Sequence, residues 1–247
     1  KMAIIFWSEF PEQVDWNKVN REIDFDIEIY VACKDKQEYL AWKKKIKNKH
    51  IDVGAWPILD KKDGYWFSGQ TSKENIDKLD EFKDVDVKID IEPKIYHGRY
   101  SNIKTWLWLI KWYVNPGKNK EHLLDKIKSL KSSVIISGFF LPRFFRRRVG
   151  MEANGKKNFI CYSTVGRIAF PYYKFMIKKM SKDNFYAIGL THPGVFGNEK
   201  AYKHKEEFVK DLETMKKLRV KNLVIYSLEG IIKRDWLGIV KDYVGSF

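Results

Sequence analysis

Cysteine is almost missing: only Cys33 and Cys161 occur in 247 residues. Two thiols are too few for a disulfide framework or a cysteine-rich zinc site, and they suit a reducing compartment. Histidine is also sparse, at five residues, a thin supply for a metal centre. The first apolar segment runs into Ser8-Glu9-Phe10-Pro11-Glu12 with no glycine-rich phosphate turn. No P-loop, Rossmann fingerprint, G-x-S-x-G elbow or H-E-x-x-H pair is present. Long apolar runs are lacking as well. The nearest, Thr105–Val114, is interrupted by Lys111 and falls short of the ~20 residues a membrane span needs. Ala3–Trp7 is too short for the apolar region of a signal peptide and has no small-residue cleavage site. A cytoplasmic protein is expected, although a leader removed ahead of Lys1 would leave no trace. Pro/Ser-rich linkers and low-complexity tracts are absent too, so one domain over residues 1–247 is expected.

Acidic residues are in deficit: 47 Lys and Arg stand against 32 Asp and Glu, a net charge of +15. Such a balance invites nucleic acid, an anionic lipid surface or an acidic substrate. Much of it falls on helical surfaces such as Lys43-Lys44-Lys45 and Lys216-Lys217, as on an ordinary solvated protein. One cluster differs. Arg143, Arg146, Arg147 and Arg148 interleave with Phe144 and Phe145, and Trp106, Trp108 and Trp112 crowd the preceding helix. These arginines are candidates for contact with an anionic surface or polymer. No nucleic-acid motif accompanies them, so no specific nucleic acid is expected.

What is plentiful is core-forming material: 44% of residues are hydrophobic and 15% aromatic, which excludes disorder. Strand-like segments occur at Ala3–Ser8, Phe25–Ala32, Ile51–Trp56, Val85–Glu92, Val134–Phe139, Phe159–Ser163, Phe185–Leu190 and Leu223–Leu228. Helical segments lie between them: Trp16–Ile23, Gln37–Lys49, Lys73–Phe82, Asn102–Val114 with Glu121–Leu130, Tyr172–Met180, Glu199–Leu218 and Asp235–Tyr243. Strand and helix alternating about eight times in ~250 residues predict an α/β fold, a (β/α)8 TIM-type barrel. An open doubly wound sheet is the competitor, and it would usually carry the missing glycine turn. The basic, glycine-interrupted stretch Leu141–Lys157 predicts an irregular fifth helix or a loop.

The segment Val85–Pro93 alternates strictly. Val85, Val87, Ile89 and Ile91 share one face; Asp86, Lys88, Asp90 and Glu92 share the other. In a barrel the outward face packs on helices and must be apolar, so the polar row turns inward and Glu92 stands at the C-terminal mouth. Lys88 favours an ionised Asp90, which together with burial raises the pKa of Glu92. A carboxylic acid kept protonated near neutrality suits a glycosidase general acid. Other candidates converge on that mouth. Glu9 and Glu229, at the ends of the first and last strands, are candidate nucleophiles or bases. Glu28 and Tyr30 alternate inward on the second strand, Tyr162 ends the sixth, and His192 follows the seventh. Aromatic residues thicken there too: Trp56, Tyr65, Trp66 and Tyr96 offer stacking surfaces for sugar rings.

Asp90-Ile91-Glu92 resembles the closing part of the DxxDxDxE strand signature of chitinase-like, family-eighteen glycoside hydrolases. The resemblance implies a barrel enzyme in which Glu92 is the general acid and Asp90 helps orient the acetamido group that attacks the anomeric carbon. The family's Asp two positions before Asp90 is Lys88 here, and its first Asp falls on Val85. The family's tyrosine near the end of the sixth strand is met by Tyr162, while Ser163 replaces the usual Asp.

Three readings stay open beside this one. A metal-dependent isomerase or endonuclease barrel would gather Glu92, His192 and Glu229, with Glu28, around divalent ions. A Schiff-base lysine at Lys88 is the second, although Asp90 would hold it charged. A non-catalytic barrel binding an anionic polymer or membrane is the third. The glycosidase reading needs no cofactor or metal, takes a carbohydrate as partner, and leaves the oligomeric state open.

Overall fold

In the computed structural model, which describes residues 3–94, 102–164, 169–180, 183–197 and 199–246, eight strands close into a barrel in sequence order. They are β1 (Ala3–Ser8), β2 (Ile27–Cys33), β3 (Ile51–Pro57), β4 (Val87–Asp90), β5 (Val134–Phe139), β6 (Lys156–Ile160), β7 (Phe185–Gly189) and β8 (Asn222–Tyr226). The helices are α1 (Trp16–Glu22), α2 (Lys36–Lys45), α3 (Lys73–Asp77), α4 (Asn102–Val114), α5 (Lys120–Ser129), α6 (Arg143–Val149), α7 (Phe170–Lys179), α8 (Lys205–Lys217), α9 (Leu228–Lys233) and α10 (Leu237–Gly245). This is the (β/α)8 TIM barrel that the alternation predicts. Local chemistry sets the boundaries. Asp15 caps α1 by accepting the Lys18 N–H at 3.0 Å, and Ser72 caps α3 by accepting the Asn75 N–H at 3.3 Å.

The chain divides into two compact units. The first, Lys1–Ala32, Leu40–Gly54 and Phe159–Phe247, holds β1, β2, β7 and β8 in parallel register. Trp7 lies beside Tyr30 on one neighbour and Tyr226 on the other, and Gly189 lies beside Tyr226. Alternation therefore puts Ile5, Trp7, Glu28, Tyr30, Ala187, Val224 and Tyr226 on one face. Its strands are saturated with apolar residues: Ile4, Ile5, Phe6, Val224 and Ile225 are all buried. The peptides Gly189–Leu190 and Tyr226–Ser227 are cis.

The second unit, Cys33–Tyr39 and Ala55–Asn158, holds β4 and β5. Lys88 lies beside Ile135, Asp90 beside Ser137 and Val87 beside Ala55. The loop after β3 runs parallel to the end of β4: Phe67 pairs with Ile91, donating its N–H to the Asp90 carbonyl and accepting from the Glu92 N–H. Cys33 and Cys161 are both buried free thiols.

Several boundaries differ from the sequence reading. β4 is shorter than Val85–Glu92, because Asp86 leaves the row to accept the Ser133 N–H at 2.9 Å. β6 begins at Lys156 rather than Phe159. The chain enters it through Gly155 (φ +135), where a Cβ would lie 2.7 Å from the Val134 carbonyl oxygen. Leu141–Lys157 contains a regular seven-residue helix, α6, entered after Pro142 and stopped by Gly150 at φ 92. α8 starts at Lys205, well past the expected Glu199. Glu229 does not end a strand but lies in the first turn of α9.

Candidate active site

The polar row of β4 is buried: Lys88, Asp90 and Glu92 are 0%, 3% and 5% exposed. The opposite face carries only Val87, Ile89 and Ile91, the composition that packing on helices requires, which puts the polar row on the lumen side. Lys88 Nζ donates to Asp90 Oδ2 at 2.7 Å and lies 3.1 Å from the centroid of the Trp56 ring on β3. The ammonium is thus paired by a carboxylate and an aromatic face at once. Asp90 Oδ1 is buried, and no donor among the described residues reaches it. On the neighbouring strand Ser137 Oγ accepts Asn158 Nδ2 at 2.9 Å, and Asn158 Oδ1 is likewise a buried acceptor without a donor. Ser137 and Asn158 escape the sequence reading; the polar interruption of β5 and the Lys-Lys-Asn start of β6 were the available signals.

The aromatic residues do different work from the open stacking surface expected of them. Tyr65, Trp66 and Phe67 are 5%, 8% and 1% exposed. Tyr65 (φ 66) and Trp66 meet edge to face, with centroids 5.6 Å apart. They anchor the loop that runs along β4 and so fix Glu92 through its N–H. Trp56, 2% exposed, covers Lys88. Tyr96 lies outside the described residues. A polar cleft of about 690 Å³ opens among the loops that follow β3 and β4, lined in part by Asp63, Gln70, Lys73 and Lys94. Lys88, Asp90 and Glu92 do not line it.

In the first unit, the ends of β1 and β8 build a second cluster. Glu9, 4% exposed, accepts the Tyr226 hydroxyl. The Tyr226 ring stacks on Tyr162 at 5.6 Å and meets Trp7 edge to face at 6.0 Å. Gly194 makes this possible: a Cβ there would press on Tyr226 Oη and come within 2.8 Å of Glu199 Oε1 and 3.2 Å of Glu9 Oε2. Glu199 and Tyr226 are additions to the sequence reading. Burial raises the Glu199 carboxyl above its ordinary range, against backbone N–H groups that lower it, and burial with the Glu9 charge pushes the Tyr226 phenol well up.

Glu229, expected as a nucleophile or base, serves as a tie. Its Oε1 accepts Ser8 Oγ at 2.7 Å and the Phe10 N–H at 2.9 Å, joining the end of β1 to the start of α9. Burial raises its carboxyl, and hydrogen bonding from Ser227, Ser8 and the Glu229 and Phe10 N–H groups opposes the rise. Tyr30 donates to Glu28 at 3.2 Å. His192 Nδ1 stands 2.7 Å from the Pro193 carbonyl oxygen, with its ring edge on Phe10. Ser163 and Tyr202 both donate to Asp211 Oδ2. Among the described residues no three His, Cys, Asp or Glu side chains stand together as a metal-holding group.

The arginine cluster is split by α6. Arg146 turns inward, buried, with Nε 3.0 Å from Glu152. It is therefore not available to an anion, because the helix period carries it to the core side. Arg143, Arg147 and Arg148 are exposed.

No family model matches the chain, and no curated protein matches it in sequence. Solved structures do. The glycoside hydrolase domain of PgaB (BpsB) from Bordetella bronchiseptica matches 98% of this chain and 99% of its own, with a TM-score of 0.63 at 8% identity. A D-tagatose 3-epimerase-like protein matches 99% of this chain and 97% of its own, with a TM-score of 0.56 at 10% identity. A xylose isomerase domain protein from Planctomyces limnophilus matches 98% and 95%, with a TM-score of 0.52 at 9% identity. At such identities the likeness is one of fold, and a fold shared by several chemistries does not choose among them.

Proposed function

We propose that this chain is a glycoside hydrolase-like enzyme that cleaves a glycosidic bond with Glu92 as general acid. One observation carries the reading: the buried row Lys88, Asp90, Glu92 ends in two carboxyl groups, and Asp90 keeps one oxygen without a donor. A buried acceptor left unpaired is costly unless a ligand pairs it. Asp90 Oδ1 takes that hydrogen bond from an N–H or O–H on the substrate beside the anomeric carbon. Lys88 holds the carboxylate in place through Oδ2. Glu92 gives its proton to the leaving oxygen as the bond to the anomeric carbon breaks; water then adds to the anomeric carbon, and the proton it releases restores the Glu92 acid.

The barrel of the PgaB glycoside hydrolase domain supports the reading to the extent that this fold hosts the chemistry. The epimerase-like and isomerase barrels share the fold equally. Metal-dependent isomerisation, however, needs converging donors, and among the described residues no three His, Cys, Asp or Glu side chains stand together. The test is reducing-end release from a panel of oligosaccharides with and without acetamido groups. Glu92→Gln is expected to lower turnover roughly a hundred- to ten-thousandfold with folding intact. Wild-type turnover in that variant overturns the assignment.

A further inference from the structure

α4 has two apolar faces. Leu109 and Trp112 are buried, while Leu107, Ile110 and Val114 are 61%, 55% and 66% exposed. The exposed three stand at i, i+3 and i+7, which places them in one stripe along the helix. Phe144 on α6, 65% exposed, extends the stripe. The two helices are joined at this point: Tyr113 stacks on Phe145 with centroids 4.7 Å apart and meets Phe144 edge to face at 6.1 Å. Arg148 donates to the carbonyls of Tyr113 and Val114 at 3.1 and 3.3 Å, fastening α6 to the C-terminus of α4.

The two helices that carry the stripe bear charge of one sign only. Asn102–Val114 and Arg143–Val149 contain no Asp or Glu. With Arg146 turned in to Glu152, Lys111, Arg143, Arg147 and Arg148 face solvent. A polyanion such as RNA would use the arginines and gain nothing from exposed Leu, Ile and Val. An anionic bilayer uses both sets: apolar tips enter the headgroup–acyl boundary while arginine stems lie along it with their guanidinium groups at the phosphates. No helix among the described residues is long and apolar enough to cross a membrane, so the contact is peripheral.

We propose that the α4–α6 face docks the protein on an anionic phospholipid surface, independently of the β4 site. The test is sedimentation of the full chain with vesicles of about three parts phosphatidylcholine to one of phosphatidylserine, against phosphatidylcholine alone, at low and high salt. Binding is expected on the anionic vesicles and weakens with salt. Arg143→Gln/Arg147→Gln is expected to weaken it about 25-fold, at about fivefold per arginine near the surface. Ile110→Gln/Phe144→Gln weakens it too, and because all four positions are exposed the variants keep the wild-type circular dichroism. Equal binding to neutral and anionic vesicles, or wild-type binding by both variants, overturns the proposal. So does self-association relieved by Ile110→Gln/Phe144→Gln without vesicle binding, which makes the face an interface between copies. RNA retention without vesicle binding also overturns it.

Discussion

Lys88 and Asp90 form a buried ion pair on one strand face, Nζ to Oδ2 at 2.7 Å, with side chains 0% and 5% exposed. The pair is asymmetric. Lys88 has the Trp56 ring as a second partner, whereas Asp90 has an oxygen that nothing among the described residues engages. Lys88 is therefore held on two sides and Asp90 through one oxygen only.

That asymmetry has a measurable consequence for stability. Lys88→Met strands a buried carboxylate and is expected to cost about 3–5 kcal/mol in urea unfolding. Lys88→Met/Asp90→Leu removes both charges and is expected to recover most of that loss. A double variant as unstable as the sum of Lys88→Met and Asp90→Leu taken singly would show that the groups are not coupled.

Gly194 is the hinge of the second cluster. Gly194→Ala drives a methyl group against Tyr226 Oη, Glu199 Oε1 and Glu9 Oε2. These are ends of side chains, so the site yields at an overpacking cost of about 1–3 kcal/mol. The Tyr226–Glu9 hydrogen bond yields with it. Near-ultraviolet circular dichroism should change as Tyr226 moves from Tyr162; an unchanged spectrum and stability would place the three oxygens farther from Gly194.

The β4 row was legible because charge and hydrophobicity alternate there without a fault, and a barrel leaves such a row only one side to take. β1 and β5 were legible to the residue, as apolar runs with clear ends. Tyr226 was not, since the apolar run Leu223–Ile225 leads into it without alternation and its hydroxyl declares nothing until Glu9 meets it. Glu199 was hidden in a lysine- and glutamate-rich stretch that reads as helix, although the helix waits until Lys205. α6 was obscured by Pro142 and Gly150, which look like breakers but sit where a short helix starts and stops. Composition found Tyr65 and Trp66; only the pairing of Phe67 with Ile91 decided that they are buried.

Asp211 collects two hydroxyls, from Ser163 and Tyr202. Burial raises its carboxyl, and both donors oppose the rise. Tyr202→Phe removes one hydrogen bond from a buried acid and is expected to cost about 1.5–3 kcal/mol. Chemical denaturation would read it, and a loss below a few tenths of a kcal/mol would mean that Ser163 alone satisfies the carboxyl.

Glu229 predicts how stability changes with pH. Burial raises its folded-state pKa, so the folded chain keeps this proton to a higher pH than the unfolded chain does. Below about pH 4.3 both states hold the proton and the residue adds no pH dependence. As pH climbs, the unfolded chain releases its proton first. It then binds fewer protons than the folded state, and stability falls until pH passes the folded-state value. Glu229→Gln keeps the acceptor for Ser8 and Phe10 but cannot ionise. The amide N–H it places at Oε2, a buried oxygen without a hydrogen bond among the described residues, adds a cost that does not vary with pH. The shape of the difference is therefore the readout. In paired urea titrations from about pH 4 to about pH 8, the variant should gain on the wild type as pH rises. Glu199 and Asp211 are raised as well, but both proteins contain them and they cancel. A difference that is flat, or that favours the wild type as pH rises, would mean that burial does not hold the Glu229 proton.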